Sequence, residues 1–221
     1  MTTAATEIER RDARGDGVIL SVRRLGRRFG SRAVVSNLNL DLRPGKRMAL
    51  WGPNGSGKTT VLRCLAGTLT LSTGSAMIDG HRVGTLAARR LTGVSLSQER
   101  AFYMRLSGRE NLLFFAGARG FGLSLARRLV RRLEDELELS AVLEQRADRC
   151  SSGMLQQLAL ARAFLGDPKL LLLDEPTRSL DAAARERLWH AIDRRSHAAV
   201  VIATHQQEDL DRCHERIVLP V

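Results

Sequence analysis

No apolar run in this sequence approaches the ~20 residues that a membrane-spanning helix requires, and the stretch Leu170 to Leu173 has the length of a strand. Aromatic residues make up only 4% of the chain. No basic run is interleaved with them, which argues against a stacking platform for single-stranded nucleic acid. The three cysteines, Cys64, Cys150 and Cys213, are odd in number and far apart. They form neither a disulfide framework nor a metal-binding spacing, and they read as small apolar residues in a reducing compartment. Lysine is confined to Lys46, Lys58 and Lys169, so the net charge of +11 is carried by arginine. Internal repeats and low-complexity segments are absent. Residues 1–17 contain no apolar stretch and read as a polar leader rather than a signal peptide.

What is present suits a folded domain. The chain has 221 residues with a hydrophobic fraction of 43%, enough for one domain, placed at 18–221, with a sizeable core. The arginine excess reads as solvated surface. The clusters Arg127-Arg128 with Arg131-Arg132, and Arg194-Arg195, are expected to be exposed helix faces.

Residues 18–24 and 33–43 alternate apolar and polar side chains, which predicts antiparallel strands with one buried face. Residues 75–80 and 94–97 read as short strands. Ser107 to about Leu143 is helical in pattern, with Ser107 placed to cap a helix and Glu110 to complete a capping box. Ala126 to Leu137 forms a second, strongly charged helix, and Ser152 to Leu165 a further one. The fully apolar run 170–174 predicts a central parallel strand. A helix over Ala182 to Arg194, a strand over Ala199 to Ala203, a short helix over Gln207 to Cys213 and a last strand over Ile217 to Leu219 follow. This alternation implies an α/β fold with a mixed, mainly parallel sheet, an antiparallel β subdomain and a helical lobe inserted at approximately 99–150.

The most informative segment follows the apolar stretch Met48-Ala49-Leu50-Trp51. It comprises Gly52, Pro53, Asn54, Gly55, Ser56, Gly57, Lys58, Thr59 and Thr60, and leads into an apolar helix. Such a strand–loop–helix of the pattern G-x-x-x-x-G-K-[ST] points its backbone N–H groups inward and adds the partial positive charge of a helix N-terminus, so it cradles a phosphate chain. Lys58 would neutralise the β- and γ-phosphates and the Thr59 hydroxyl would ligate Mg²⁺. Asp174 and Glu175 end the apolar strand at 170–174, where a ligand of a parallel sheet binds. Asp174 is placed to hold Mg²⁺, and Glu175 to orient and polarise an attacking water. His205 at the exit of the next strand could reach the γ-phosphate. Gln98, after the strand at 94–97, is positioned by the same argument.

Taken together, these motifs and their order resemble the nucleotide-binding subunit of an ATP-binding cassette transporter, over about Ile19 to Leu219. Cys150 to Met154, followed by QQLALARA, matches the family signature, usually LSGGQ. Ser179-Leu180-Asp181 matches the loop that contacts a second subunit, and His205 matches the switch histidine. Phe29 sits where the family places an aromatic that stacks on adenine. The resemblance implies ATP and Mg²⁺ as cofactors, with Thr59, Gln98 and Asp174 at the metal and Glu175, His205, Gln98 and Lys58 in hydrolysis. It implies that Ser151, Ser152, Gly153 and Asp181 act in trans, in a dimer with an identical subunit or a close paralogue. The signature departs from the family form at Ser152 and Met154. That form, together with Leu106 to Gly122, resembles exporter-type cassettes for polysaccharides, drugs or lipids. The implied protein is peripheral on the cytoplasmic side of the cell membrane. It powers a separate permease that docks near Gln98 and Phe102-Tyr103, and nucleic acid is not an expected partner. A non-transport cassette acting on nucleic acid or the ribosome, and a mechanotransmitting ATPase, are the alternative readings.

Overall fold

A computed structural model describes residues 17–96 and 102–219. Gln98 and nearly all of the expected leader lie outside the described residues. A four-stranded antiparallel sheet, ordered β2-β1-β4-β5, contains β1 (Leu20–Phe29), β2 (Arg32–Leu42), β4 (Thr73–Ile78) and β5 (His81–Arg82). A five-stranded parallel sheet, ordered β6-β7-β8-β3-β9, contains β3 (Arg47–Trp51), β6 (Thr92–Ser95), β7 (Leu170–Asp174), β8 (Ala199–Thr204) and β9 (Glu215–Val218). The helices are α1 (Lys58–Leu65), α2 (Leu86–Arg90), α3 (Gly108–Ala118), α4 (Leu123–Leu137), α5 (Ser140–Glu144), α6 (Ser152–Phe164), α7 (Ala182–Asp193) and α8 (Gln207–Asp211), with one 3₁₀ turn at Ala147–Arg149. Among the described residues no helix is long and apolar enough to cross a membrane.

The parallel sheet is apolar on both faces because it is covered on both. Along β7, Leu170 and Leu172 pack into a core shared with α1 and the antiparallel sheet, while Leu171 and Leu173 pack with α3 to α7. Strand β8 divides its residues in the same way: Val201 and Ala203 face one core, Val200 and Ile202 the other. A two-residue side-chain period with both faces buried is what a continuous apolar run records.

In the helical lobe, α3 begins as its sequence predicts. The Ser107 hydroxyl accepts from the Glu110 N–H at 3.2 Å, and Glu110 Oε2 accepts from the Ser107 N–H at 2.8 Å. The aromatic pair before it divides. Phe102 packs against the lobe core, whereas Tyr103 remains 51% exposed and meets Phe114 edge-on at 4.6 Å. Two short elements, β5 and α2, lie where the sequence predicts none, and each is too short to display a period.

One expectation is corrected. Arg194 is exposed, but Arg195 is only 3% exposed. Its guanidinium bonds both carboxylate oxygens of Glu136 on α4, at 2.7 and 2.9 Å, donates to the Ala191 carbonyl at 2.6 Å, and lies 3.1 Å from Asp167. The Phe164 ring covers it at 4.4 Å. This fork-to-fork pair joins the lobe to the core, and the side chain of Glu136 is itself only 6% exposed. Arg195→Met strands a carboxylate in the interior, and is expected to cost about 3–5 kcal/mol. The double variant Arg195→Met/Glu136→Met should recover most of that loss. Urea unfolding of the three proteins measures both effects; equal losses in the single and double variants would contradict the assignment.

Candidate functional site

Parallel pairing sets the position of every group in the site. Strands β3, β8 and β7 are neighbours, with Trp51 beside Thr204 and Asp174 beside Ala203. Their C-terminal ends therefore open side by side, the edge of a parallel sheet where ligands bind. The loop after β3, the carboxylates after β7 and the histidine after β8 converge there, around a cleft of about 540 Å³ that includes Asn54, Lys58, Thr59, Asp174 and Glu175.

The loop has the features of an anion cradle. Gly57 precedes α1 with φ of +96°, and a Cβ there would lie 3.1 Å from the Val34 carbonyl oxygen, so a side chain would be both strained and crowded. Among the described residues no side chain caps α1, and its first turn holds no acidic residue. The N–H groups of that turn have no partner within the helix and remain directed at the cleft. Lys58 is buried and folds back over the loop, donating to the carbonyls of Gly52 at 2.6 Å and Pro53 at 3.0 Å. An ammonium carries three donors, so one is left for a ligand. The buried Ser56 hydroxyl has no partner among the described residues.

Two acid pairs complete the cleft. The Thr59 hydroxyl donates to Asp174 Oδ2 at 2.8 Å, and Glu175 Oε1 lies 2.7 Å from His205 Nδ1. The second carboxylate oxygen of Glu175 is buried and has no partner among the described residues. Strand pleating would send adjacent side chains to opposite faces. Glu175 instead has φ of +48°, which turns the chain so that both carboxylates line one cleft. Among the described residues no cluster of three or more His, Cys, Asp or Glu side chains forms a metal cage. A magnesium shared between one hydroxyl, one carboxylate and phosphate oxygens needs none, and Thr59 with Asp174 supplies that donor set.

The remaining expected residues lie around this cleft or beyond it. Phe29 is half exposed at the end of β1, with the Arg27 guanidinium 4.5 Å over its ring. Ser151 caps α6 by accepting from the Met154 N–H at 3.2 Å, and Ser151 and Ser152 are exposed. A Cβ at Gly153 would come within 2.6 Å of the Ser179 carbonyl oxygen. The Asp181 carboxylate caps α7, accepting from Ala184 at 2.7 Å. Sequence reasoning missed two supports, one part-buried and one buried. Gln156 on α6 donates to the carbonyls after β7, and Asp209 on α8, fully buried, lies within 3.0 Å of the hydroxyls of both Thr177 and Thr204. Only their three-dimensional contacts reveal them.

Comparison with known proteins decides the family. A family profile described as "ABC transporter" matches residues 35–178. The chain belongs to the ABC transporter family. The ATP-binding cassette accounts for both sheets and for the helical lobe. Among curated ABC relatives, a Nod factor export ATP-binding protein I of Cupriavidus metallidurans is 39% identical, over 91% of this chain and 68% of its own length. A Bacillus subtilis protein described as an uncharacterized ABC transporter ATP-binding protein, YdbJ, is 31% identical over 91% of this chain and 66% of its own. The chain spans about two thirds of these bacterial relatives, and only 19% of a plant one, ABC transporter A family member 2 of Arabidopsis thaliana. A solved ATP-binding subunit of an ABC transporter superposes with a TM-score of 0.83 at 27% identity, covering 91% of this chain and 85% of that one. An ATP-binding cassette solved as a dimer with ADP and Pi shares the fold, with a TM-score of 0.79 at 21% identity, over 90% of this chain and 94% of its own. The chain is thus an ABC ATPase domain.

Asp209 supplies a pH test of this site. Burial pushes its carboxyl above the usual aspartate range, against the opposing pull of the Thr204 and Thr177 hydroxyls, and the negative charge of Glu175 adds to the rise. The folded state therefore binds a proton that the unfolded state releases near pH ~3.9. Between that pH and the raised value, folding stability contributed by Asp209 falls as pH rises. Asp209→Asn cannot titrate, so its stability relative to the unmodified protein is expected to improve steadily with pH from about 4 upward and then level off. Urea unfolding across that pH series measures it, and a difference independent of pH would contradict the burial argument.

Proposed function

We propose that this chain is the ATP-hydrolysing subunit of an ABC exporter. It pairs head-to-tail with a second copy or a close paralogue, and drives a separate membrane permease from the cytoplasmic side. The observation that carries the hydrolytic half of this reading is the convergence of Glu175, His205, Thr59 and Asp174 on one phosphate cradle, with contacts of 2.7 and 2.8 Å. Export is supported by the names of the relatives, several of which are Nod factor export proteins. Pairing is supported by the start of α6, a second anion-attracting helix end that carries the exposed Ser151 and Ser152 and the part-buried Gly153.

In this reading Phe29 stacks on the adenine, the loop N–H groups and Lys58 hold the phosphates, and Thr59, Gln98 and Asp174 hold Mg²⁺, whose charge neutralises the phosphate oxygens. Glu175 accepts a hydrogen bond from the attacking water and raises its nucleophilicity. His205 holds one oxygen of that carboxylate, leaving the other, buried and unpartnered, for the water. Phosphoryl transfer to water needs little covalent help, so positioning and charge supply most of the acceleration. The first turn of a partner's α6 closes the site over the γ-phosphate. Closure is favoured while that phosphate is present and released once it is gone, which is a shift in population between two states. The exposed Tyr103, Phe114 and Met104 form an apolar patch on the lobe suited to a permease segment.

Glu175→Gln is expected to keep nucleotide affinity, lower turnover by about 10²–10⁴-fold, and accumulate a closed, ATP-bound dimer. Lys58→Ala should weaken nucleotide binding by about 10–100-fold, the value of a lost charge-assisted hydrogen bond. Nucleotide titration, phosphate release and sedimentation with Mg²⁺ and ATP measure these outcomes. Unchanged turnover in Glu175→Gln would remove the assigned base.

A further inference from the structure

The segment after β7 is held in an unusual shape. Glu175 has φ of +48° and Ser179 of +66°, two non-glycine residues in the left-handed region within five positions. Side chains at such angles persist only when the surroundings over-determine them. On one side the support is β8, whose Ala203 carbonyl accepts from the Glu175 N–H at 2.8 Å. On the other it is α6. The Gln156 side-chain amide donates to the Pro176 carbonyl at 3.0 Å and approaches the Glu175 carbonyl at 3.4 Å. Both acceptors belong to the peptide units that follow the carboxylate-bearing Cα, so the bond acts on the turn that aims that carboxylate.

The same helix touches the far end of the segment. The absence of a side chain at Gly153 lets the first turn of α6 close on the Ser179 carbonyl. Ser151, which caps that turn, and Ser152 are exposed, while Gly153 to Leu155 are part-buried. From Ser151 to Gln156 is five residues, about 7.5 Å along a helix axis. A rigid element of that length therefore has one end open to whatever docks there and is bonded, at the other, to the turn that aims Glu175.

We propose that Gln156 is a positioning residue. Its amide fixes the left-handed turn that aims Glu175, and through it α6 makes hydrolysis at a subunit's own nucleotide respond to what its first turn contacts. The proposal rests on the reading above, in which Glu175 activates water and the α6 end meets a partner's nucleotide. Gln156→Met keeps nearly the same length and volume but has no donor. Gln156→Glu places an acceptor against two carbonyls, and is the more severe change.

The test measures turnover, ATP affinity and thermal unfolding in the full chain for Gln156→Met, Gln156→Glu, Glu175→Gln and the double variant Gln156→Met/Glu175→Gln. Turnover should fall by about tenfold or more in Gln156→Met, and further in Gln156→Glu, while ATP affinity stays within about twofold. In the Glu175→Gln background the Gln156→Met change should alter the residual rate by less than about twofold, because the group it positions is already gone. Three results would overturn the inference while leaving the function standing: turnover near that of the unmodified protein in both Gln156 variants, affinity falling in step with turnover, or the same factor lost in both backgrounds. Unmodified turnover in Glu175→Gln alone would overturn the function and the inference together.

Discussion

The backbone ladder that joins β7, β8 and β3 places Asp174 beside Ala203 and Thr204 beside Trp51. Every other feature of the site depends on that register. A shift of one residue along β7 would bring its other set of side chains to each face and replace Asp174 at the strand exit. The ladder holds because both faces of these strands are buried, with Leu170 and Leu172 on one side and Leu171 and Leu173 on the other. The core thus does more than stabilise the domain: it sets which carboxylate meets the Thr59 hydroxyl.

From that ladder the molecule extends in two directions. On one side the antiparallel sheet carries Phe29 and packs with α1 against the parallel sheet. On the other the helical lobe carries α6 and is bonded to the core through the buried Arg195–Glu136 pair. Helix α6 belongs to both regions. Its apolar face lies in the core with Leu171 and Leu173, its starting residues Ser151 and Ser152 are exposed, and Gln156 reaches the turn that bears Glu175. An ABC ATPase domain built this way has the turn that bears the Glu175 carboxylate bonded to a helix whose other end, at Ser151 and Ser152, is exposed.

Much of this was legible in the sequence. The loop at 52–57 stood out because its glycines, Lys58 and Thr59 keep fixed positions between a strand and a helix, and the structure has that strand and that helix. The apolar run of β7 signalled a strand buried on both faces, and Ser107 with Glu110 signalled the start of α3. The elements β5 and α2 were not legible, because the two residues of one show no alternation and the five of the other no helical period. Arg195 was misread because it follows Arg194 in a pattern typical of exposed faces. Its burial depends on Glu136 and Asp167, residues far away in sequence. Gln156 and Asp209 were invisible for the same reason. A polar residue on a helix becomes a support only when the fold brings a carbonyl or a hydroxyl to it.

The claim on which the rest turns is that a working site is made from two chains, each supplying one half. Subunit complementation tests it most directly. Lys58→Ala damages the phosphate cradle, and Ser151→Glu puts a negative charge on the open end of α6, where the partner's γ-phosphate would sit. Each variant alone should be nearly inactive, and mixing the two should restore ATP hydrolysis, since a mixed pair contains one site built from two intact halves. A mixture that stays as inactive as its components, or full turnover by Ser151→Glu alone, would contradict the composite site.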